Sequence, residues 1–266
     1  MGPTDAVPGM FNVQERLRLL SALAALSFAL TWSAGIEAQG RAGPGQTATP
    51  RAAAPIDLTG YWVSVVTQDW RWRMVTPPKG DYESVPITLE AKKVGDGWDP
   101  AKDEAAGEQC KAYGAPAIMA VPTRLHITWQ DDKSLKVETD AGMQTRLLHF
   151  GDWKPQGGPA SWQGESVAAW ERGRGGRGAE ATGGSLKVVT TNARLGYLRK
   201  NGVPYSASAI LTEYWDLGSE SNGDRWISIT SVVDDPRYLR MPFVAALQFK
   251  READGAKWDP MPCSAR

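Results

Sequence analysis

The sequence predicts an all-β fold, an antiparallel barrel of about eight to ten strands with one or two short helices. Two observations carry this expectation. Beyond residue 55 the chain breaks into short runs rich in Val, Ile, Thr, Trp and Tyr, residue types that fit a pleated, half-buried surface. Turn clusters separate the runs at hairpin spacing, among them Asp131-Asp132-Lys133-Ser134, Ala141-Gly142 and Asn222-Gly223-Asp224.

In chain order the expected strands are 60–67, 70–75, 124–130, 135–140, 144–150, 166–171, 185–191, 207–216, 225–233 and 243–250. A helix is expected over Leu89 to Val94, because Thr88 supplies an oxygen that can accept from the first free backbone N–H groups. Asp99-Pro100 opens a second short helix reaching toward Gln109.

Hairpin geometry then fixes the register. With Ala141-Gly142 as a two-residue loop, Val137 faces Arg146, Glu138 faces Thr145 and Thr139 faces Gln144. With residues 131–134 as a four-residue loop, His126 faces Thr139 and Thr128 faces Val137. One face then carries His126, Thr128, Val137, Thr139, Gln144, Arg146 and Leu148. The other carries Ile127, Trp129, Glu138, Thr145, Leu147 and His149. Neither is cleanly apolar, which suits a barrel whose interior holds polar groups around a ligand better than a simple sandwich.

Ahead of this pattern lies an apolar run, Leu19 to Leu30, behind Arg16 and Arg18 and followed by small residues to Ala38. It is shorter than a membrane span of about 20 residues, and its three parts are those of a secretory signal. Residues 1–38 are therefore expected to be removed, with Met10 as an alternative start, and the product to be periplasmic or secreted without a stable membrane span. The Gly, Ala, Pro, Thr and Gln composition of residues 39–55 reads as a flexible linker, and the barrel domain is expected over 56–266. A second low-complexity insert, Gly173 to Gly184, reads as a long solvated hairpin loop.

Charge and cysteine usage narrow the partners. Lys plus Arg (30) balances Asp plus Glu (30), so neither a nucleic-acid footprint nor a polybasic membrane patch is indicated. The two cysteines, Cys110 and Cys263, are expected to form a disulfide in an oxidising compartment. In the chain-entropy model that closure is worth at most about 5 kcal/mol, and it would hold down the C-terminal tail.

No GxSxG elbow, HExxH, P-loop or dinucleotide fingerprint occurs, and two histidines cannot supply a three-His metal site. Neither a metal nor a cofactor is expected. His126 is the better candidate acid or base, because Gln144 and Arg146 share its expected face and could hold an anionic or carbonyl group. Its alternative is a strand histidine bonded to a threonine. His149 is the weaker candidate. Glu213 sits mid-strand among apolar residues, where a carboxylate must be paired, for instance with Arg146, or act as an acid or base. Thr128, Thr139, Trp62 and Trp215 complete the expected ligand-binding set, as 12 tryptophans can line a pocket as well as fill a core.

Gly60-Tyr61-Trp62 resembles the GxW start of lipocalin-like barrels, in which the tryptophan plugs the closed end. A longer order of motifs is similar to exported bacterial lipocalin-like β-barrel proteins. It runs through Cys110, Gly114, Pro116 and Met119, then Gln144-Thr145-Arg146, Ser161-Trp162-Gln163-Gly164, Ser185 to Thr190 and Thr212-Glu213-Tyr214. Asp235-Pro236, Pro242-Phe243 and Cys263 close it. The resemblance implies export, a barrel and a disulfide, and it brings no catalytic residues to transfer. The chain is thus expected to bind a small lipophilic or aromatic molecule. The alternatives are a cofactor-independent lyase, isomerase or hydratase using His126 and Glu213 in the same cavity, and an envelope protein-interaction module.

Overall fold

A computed structural model describes residues 48–173 and 183–266; the expected signal at 1–38 and most of the expected Arg and Gly loop lie outside them. Nine strands close into a barrel in the order β1, β2, β3, β4, β5, β6, β9, β10, β11. They are β1 (Gly60–Val65), β2 (Arg124–Trp129), β3 (Ser134–Thr139), β4 (Thr145–Phe150), β5 (Glu165–Arg172), β6 (Gly184–Thr191), β9 (Ile210–Ser219), β10 (Arg225–Asp234) and β11 (Phe243–Arg251). A separate two-stranded ribbon, β7 (Gly196–Arg199) with β8 (Val203–Tyr205), interrupts the chain between β6 and β9.

The barrel departs from the expected antiparallel pattern at one seam. Leu148 to Phe150 of β4 pair in parallel with Ser166 to Ala168 of β5, because residues 151–164 return to the starting end of β4 instead of turning back as a hairpin. All other barrel pairs are antiparallel.

Alternation along the strands sets the core. β4 reads exposed-buried through Arg146, Leu148 and Phe150, and β6 buries Leu186, Val188 and Thr190. These side chains meet Trp62, Leu125, Ile127, Val137, Trp215, Ile229 and Phe249 inside. Trp62, Trp215 and Arg146 are among the largest fully buried side chains, so the barrel centre is occupied by its own residues.

Call the end where β1 finishes and β2 begins the mouth. Its cap comes from the β1–β2 connection, which holds α1 (Trp70–Arg73), α2 (Leu89–Asp96), α3 (Pro100–Ala105), a 3₁₀ turn (Gln109–Tyr113) and α4 (Ala115–Ile118). Thr88 caps α2 by accepting from the Ala91 N–H, and Asp99 caps α3 by accepting from that of Ala101. A second apolar cluster, with Tyr82, Leu198, Val203, Tyr205, Leu211 and Leu239, joins the cap to the barrel. Cys110 and Cys263 are disulfide-bonded and tie the tail to the cap.

Three boundaries differ from expectation. Residues 70–75, expected as a strand, contain α1 instead, because Met74 N–H and Arg73 N–H close helical bonds on Trp70 and Asp69. Residues 48–55, expected as linker, belong to the compact unit Ala48–Arg266. There the Pro50 carbonyl accepts the indole N–H of Trp170, and Arg51 N–H donates to Asp132. The ribbon β7–β8 was absent from the expected strands.

Candidate functional site

The β3–β4 register is as expected, with Val137 opposite Arg146 and Glu138 opposite Thr145. The β2–β3 register is shifted by one residue: Ile127 faces Val137, His126 faces Glu138 and Thr128 faces Lys136. The cause is that Gln130 pairs with Ser134, its N–H donating to the Ser134 carbonyl, which leaves a three-residue loop at 131–133 in place of the expected four-residue loop. Because strand side chains alternate, this single step moves His126 and Thr128 to the outer wall. The expected convergence of His126 with Arg146 and Gln144 therefore does not occur.

His126 stands outside in a different setting. Its ring stacks on Tyr61 at 4.2 Å, Trp258 meets it edge-on at 6.0 Å, and Nδ1 lies 3.2 Å from Glu138 Oε2. Gln144 belongs to the β3–β4 turn beneath the disulfide, donating to the Gly142 carbonyl and lying 3.5 Å from Cys263 Sγ. Thr139 serves the same turn by donating to the Ala141 carbonyl.

Arg146, Glu213, Trp62 and Trp215 do point inward. Arg146 Nη2 and Nη1 donate to the two Glu213 oxygens at 2.6 and 3.2 Å, and Nη2 also reaches Thr190 Oγ1. Both ionic side chains are 1 % exposed. With both carboxylate oxygens engaged by one guanidinium, Glu213 has the geometry of a structural partner. Trp62 donates to the Leu58 carbonyl near the base, with the Arg251 guanidinium 5.4 Å above its ring. The indole N–H of Trp215 is buried without a partner among the described residues.

The open apolar space lies at the mouth instead. A cleft of about 60 Å³ runs between α1, the segment after α4, β7 and the start of β11. Val75, Ala117, Ala120, Val121, Leu198, Phe243, Ala245 and Leu247 give it apolar walls, and Asp69, Arg73 and Lys200 its charged pole.

The pole is built by the sequence Gln68-Asp69-Trp70-Arg71-Trp72-Arg73. Asp69 adopts φ 53°, a left-handed backbone that is costly for a residue other than glycine and that clusters at functional sites. From there its carbonyl accepts from Trp72 and Arg73 N–H groups, starting α1. Two guanidinium groups lie over the Trp72 ring, Arg71 at 5.1 Å and Arg199 at 4.6 Å, and its indole donates to Asp81. That bond, with help from Arg71, holds the Asp81 carboxyl below its usual range.

Arg73 donates through Nε to the Ala120 carbonyl, whereas its Nη2 is buried with no partner among the described residues. Burial pulls the guanidinium below its ordinary value, with the Asp69 charge opposing the shift. Arg199 is lowered by the same cause, yet it is satisfied by the Glu83 carbonyl and Ser84 Oγ. Arg73 thus offers an unanswered donor at the cleft. Neither it nor Asp69 was among the expected site residues, since alternating Trp and Arg imitates an amphipathic strand.

A larger open groove of about 780 Å³ lies at the base around His149, Ser134, Asp131 and Trp153. There the His149 ring stacks on Trp153 at 4.2 Å, and its Nδ1 lies 3.2 Å from Ser134 Oγ. No cluster of ligating side chains among the described residues has metal-site geometry. Comparison with protein-family models, curated proteins and solved structures finds no match to the chain. Fold and site define a capped nine-stranded β-barrel, filled at its centre and cleft at its mouth.

Proposed function

We propose that this barrel binds a small, mostly apolar molecule through one anionic or carbonyl-bearing end, held at the mouth by Arg73. The carrying observation is the buried Nη2 of Arg73, without a partner among the described residues, on a side chain that lines an apolar cleft. An unanswered buried donor costs about 1 to 3 kcal/mol, more when charged, and an entering acceptor removes that cost. α1 has no buried residue, so a small displacement of it admits the acceptor without disturbing the core.

The cleft is well below the roughly 300 to 1,000 Å³ of a pocket that engulfs a drug-sized ligand. It holds one end of the molecule. Work outside the cytoplasm fits the disulfide and the signal-like start of the chain, and among the described residues no helix is long and apolar enough to cross a membrane. The lyase, isomerase or hydratase alternative draws no support from this geometry, since His126 and Glu213 do not share a space.

The test is a tryptophan-fluorescence screen with fatty acids, aromatic carboxylates and apolar ketones, read through Trp72 in the cleft wall. Binding should fall at least tenfold in Arg73→Ala, partly recover in Arg73→Lys and be unchanged in His126→Ala. Ligands bound equally well by wild type and Arg73→Ala would overturn the reading.

A further inference from the structure

The cleft is flanked by exposed apolar side chains. Three side chains of one six-residue stretch project into solvent there: Trp70 is 67 % exposed, Met74 58 % and Val75 64 %. Val75 also lines the cleft. The facing wall begins at Phe243, and its chain neighbours Met241 and Val244 are exposed as well. Single exposed apolar residues need no explanation, whereas a contiguous group beside a binding cleft marks an interaction surface.

The polar residues among them indicate the partner. Arg71 keeps its guanidinium at the surface, paired with Asp81 at 2.9 Å and Glu83 at 3.5 Å, and Lys79 is exposed just beyond Pro77 and Pro78. Tryptophan with apolar side chains, bordered by Arg and Lys, is the composition that settles at the boundary between lipid headgroups and acyl chains. Continuity with the cleft points the same way. A cleft of about 60 Å³ covers one end of a lipophilic ligand and leaves its body against this rim, where a bilayer would shield it from water.

We propose that the rim formed by Trp70, Met74 and Val75 docks onto the surface of a lipid bilayer, so that lipophilic ligands pass between the membrane and the cleft without crossing water. This rests on the reading of the cleft as a lipophilic-ligand site, and the two can fail separately. Vesicle binding is measured without ligand, and ligand binding without vesicles.

The experiment uses residues 48–266, which form a compact unit by themselves, and vesicles of phosphatidylcholine with phosphatidylglycerol. Wild type should co-sediment with the vesicles, and the triple variant Trp70→Ser, Met74→Ser, Val75→Ser should lose at least tenfold in partitioning. Leu89→Ser, which removes a side chain that is 80 % exposed on α2, should bind vesicles like wild type. The three substituted side chains are all exposed, and an unchanged melting temperature and circular dichroism spectrum verify folding. Three results overturn the proposal: no vesicle binding by wild type, equal binding by the triple variant, or a concentration-dependent dimer that the triple variant abolishes, which would give the rim to a second copy of the chain.

Discussion

Arg146 reaches across the barrel interior and engages both carboxylate oxygens of Glu213, with each side chain 1 % exposed. β4 and β9 are not neighbours in the sheet, so this pair links opposite parts of the wall. Ser166 and Thr190 extend the network, their hydroxyls 2.8 Å apart and Thr190 touching Arg146. A polar knot of this kind sits uneasily in an apolar core, and its energetics depend on remaining complete.

Breaking the pair from one side leaves a buried charge without its partner. Glu213→Gln is therefore expected to cost about 3 to 5 kcal/mol, measured by urea denaturation. Replacing both residues with apolar ones of similar volume, Arg146→Met with Glu213→Leu, should recover most of that loss, because the desolvation cost disappears with the charges. Two single losses that simply add in the double variant would show that the residues act independently.

The outer cluster at His126 should behave differently. Its contacts with Tyr61, Glu138 and Trp258 are half-exposed, and exposed ion pairs contribute about 0 to 1 kcal/mol. His126→Ala is expected to lower stability by no more than about 1 kcal/mol and to leave ligand-induced quenching unchanged. Loss of ligand binding in that variant would return His126 to the site.

The reason for His126's position also shows how far the sequence could be read. Val and Ile alternation placed the strands to within a few residues, and Ala141-Gly142 fixed β3 against β4 because Gly142 takes φ 75° and packs on Tyr113. Nothing local distinguishes a four-residue loop at 131–134 from a three-residue loop at 131–133, and that one residue decides which wall His126 joins. Glu213 and Arg146 were legible as a pair because a mid-strand carboxylate demands a partner. The cleft was not legible. Its pole combines residues 68–73 with Arg199 and Lys200, brought together only by the packing of the cap, and Trp70 to Val75 carries an alternation that strand and short helix share.

The disulfide holds that cap from another side. Cys110 lies in the 3₁₀ turn, while Cys263 lies near the β3–β4 turn, where Met261 accepts from Gly142 N–H. Thiol titration of the denatured, unreduced protein should find no free thiol. Cys110→Ser with Cys263→Ser is expected to cost about 2 to 5 kcal/mol and to speed proteolysis of the C-terminal tail. A double variant as stable and protease-resistant as wild type would show that the tail is secured by its hydrogen bonds alone.

The base of the barrel should confer a pH dependence on stability through His149. Burial against Trp153 lowers its imidazole below the ordinary value of 6.5, with Asp131 and Glu165 partly opposing the shift. The unfolded chain therefore takes up a proton near pH 6.5 that the folded protein still refuses, so protonation favours unfolding. The contribution is fully present above pH 6.5 and is lost as pH falls below it toward the folded value. This window lies above that of Asp81, Asp96 and Asp224, which hydrogen bonds from Trp72, Lys92 and Lys250 hold below 3.8 and which weaken the fold only in stronger acid. Urea midpoints measured from pH 8 to 5 should fall for wild type, and the fall should be shallower in His149→Gln. An identical profile for the two proteins would mean that His149 accepts its proton as readily in the folded barrel as in the open chain.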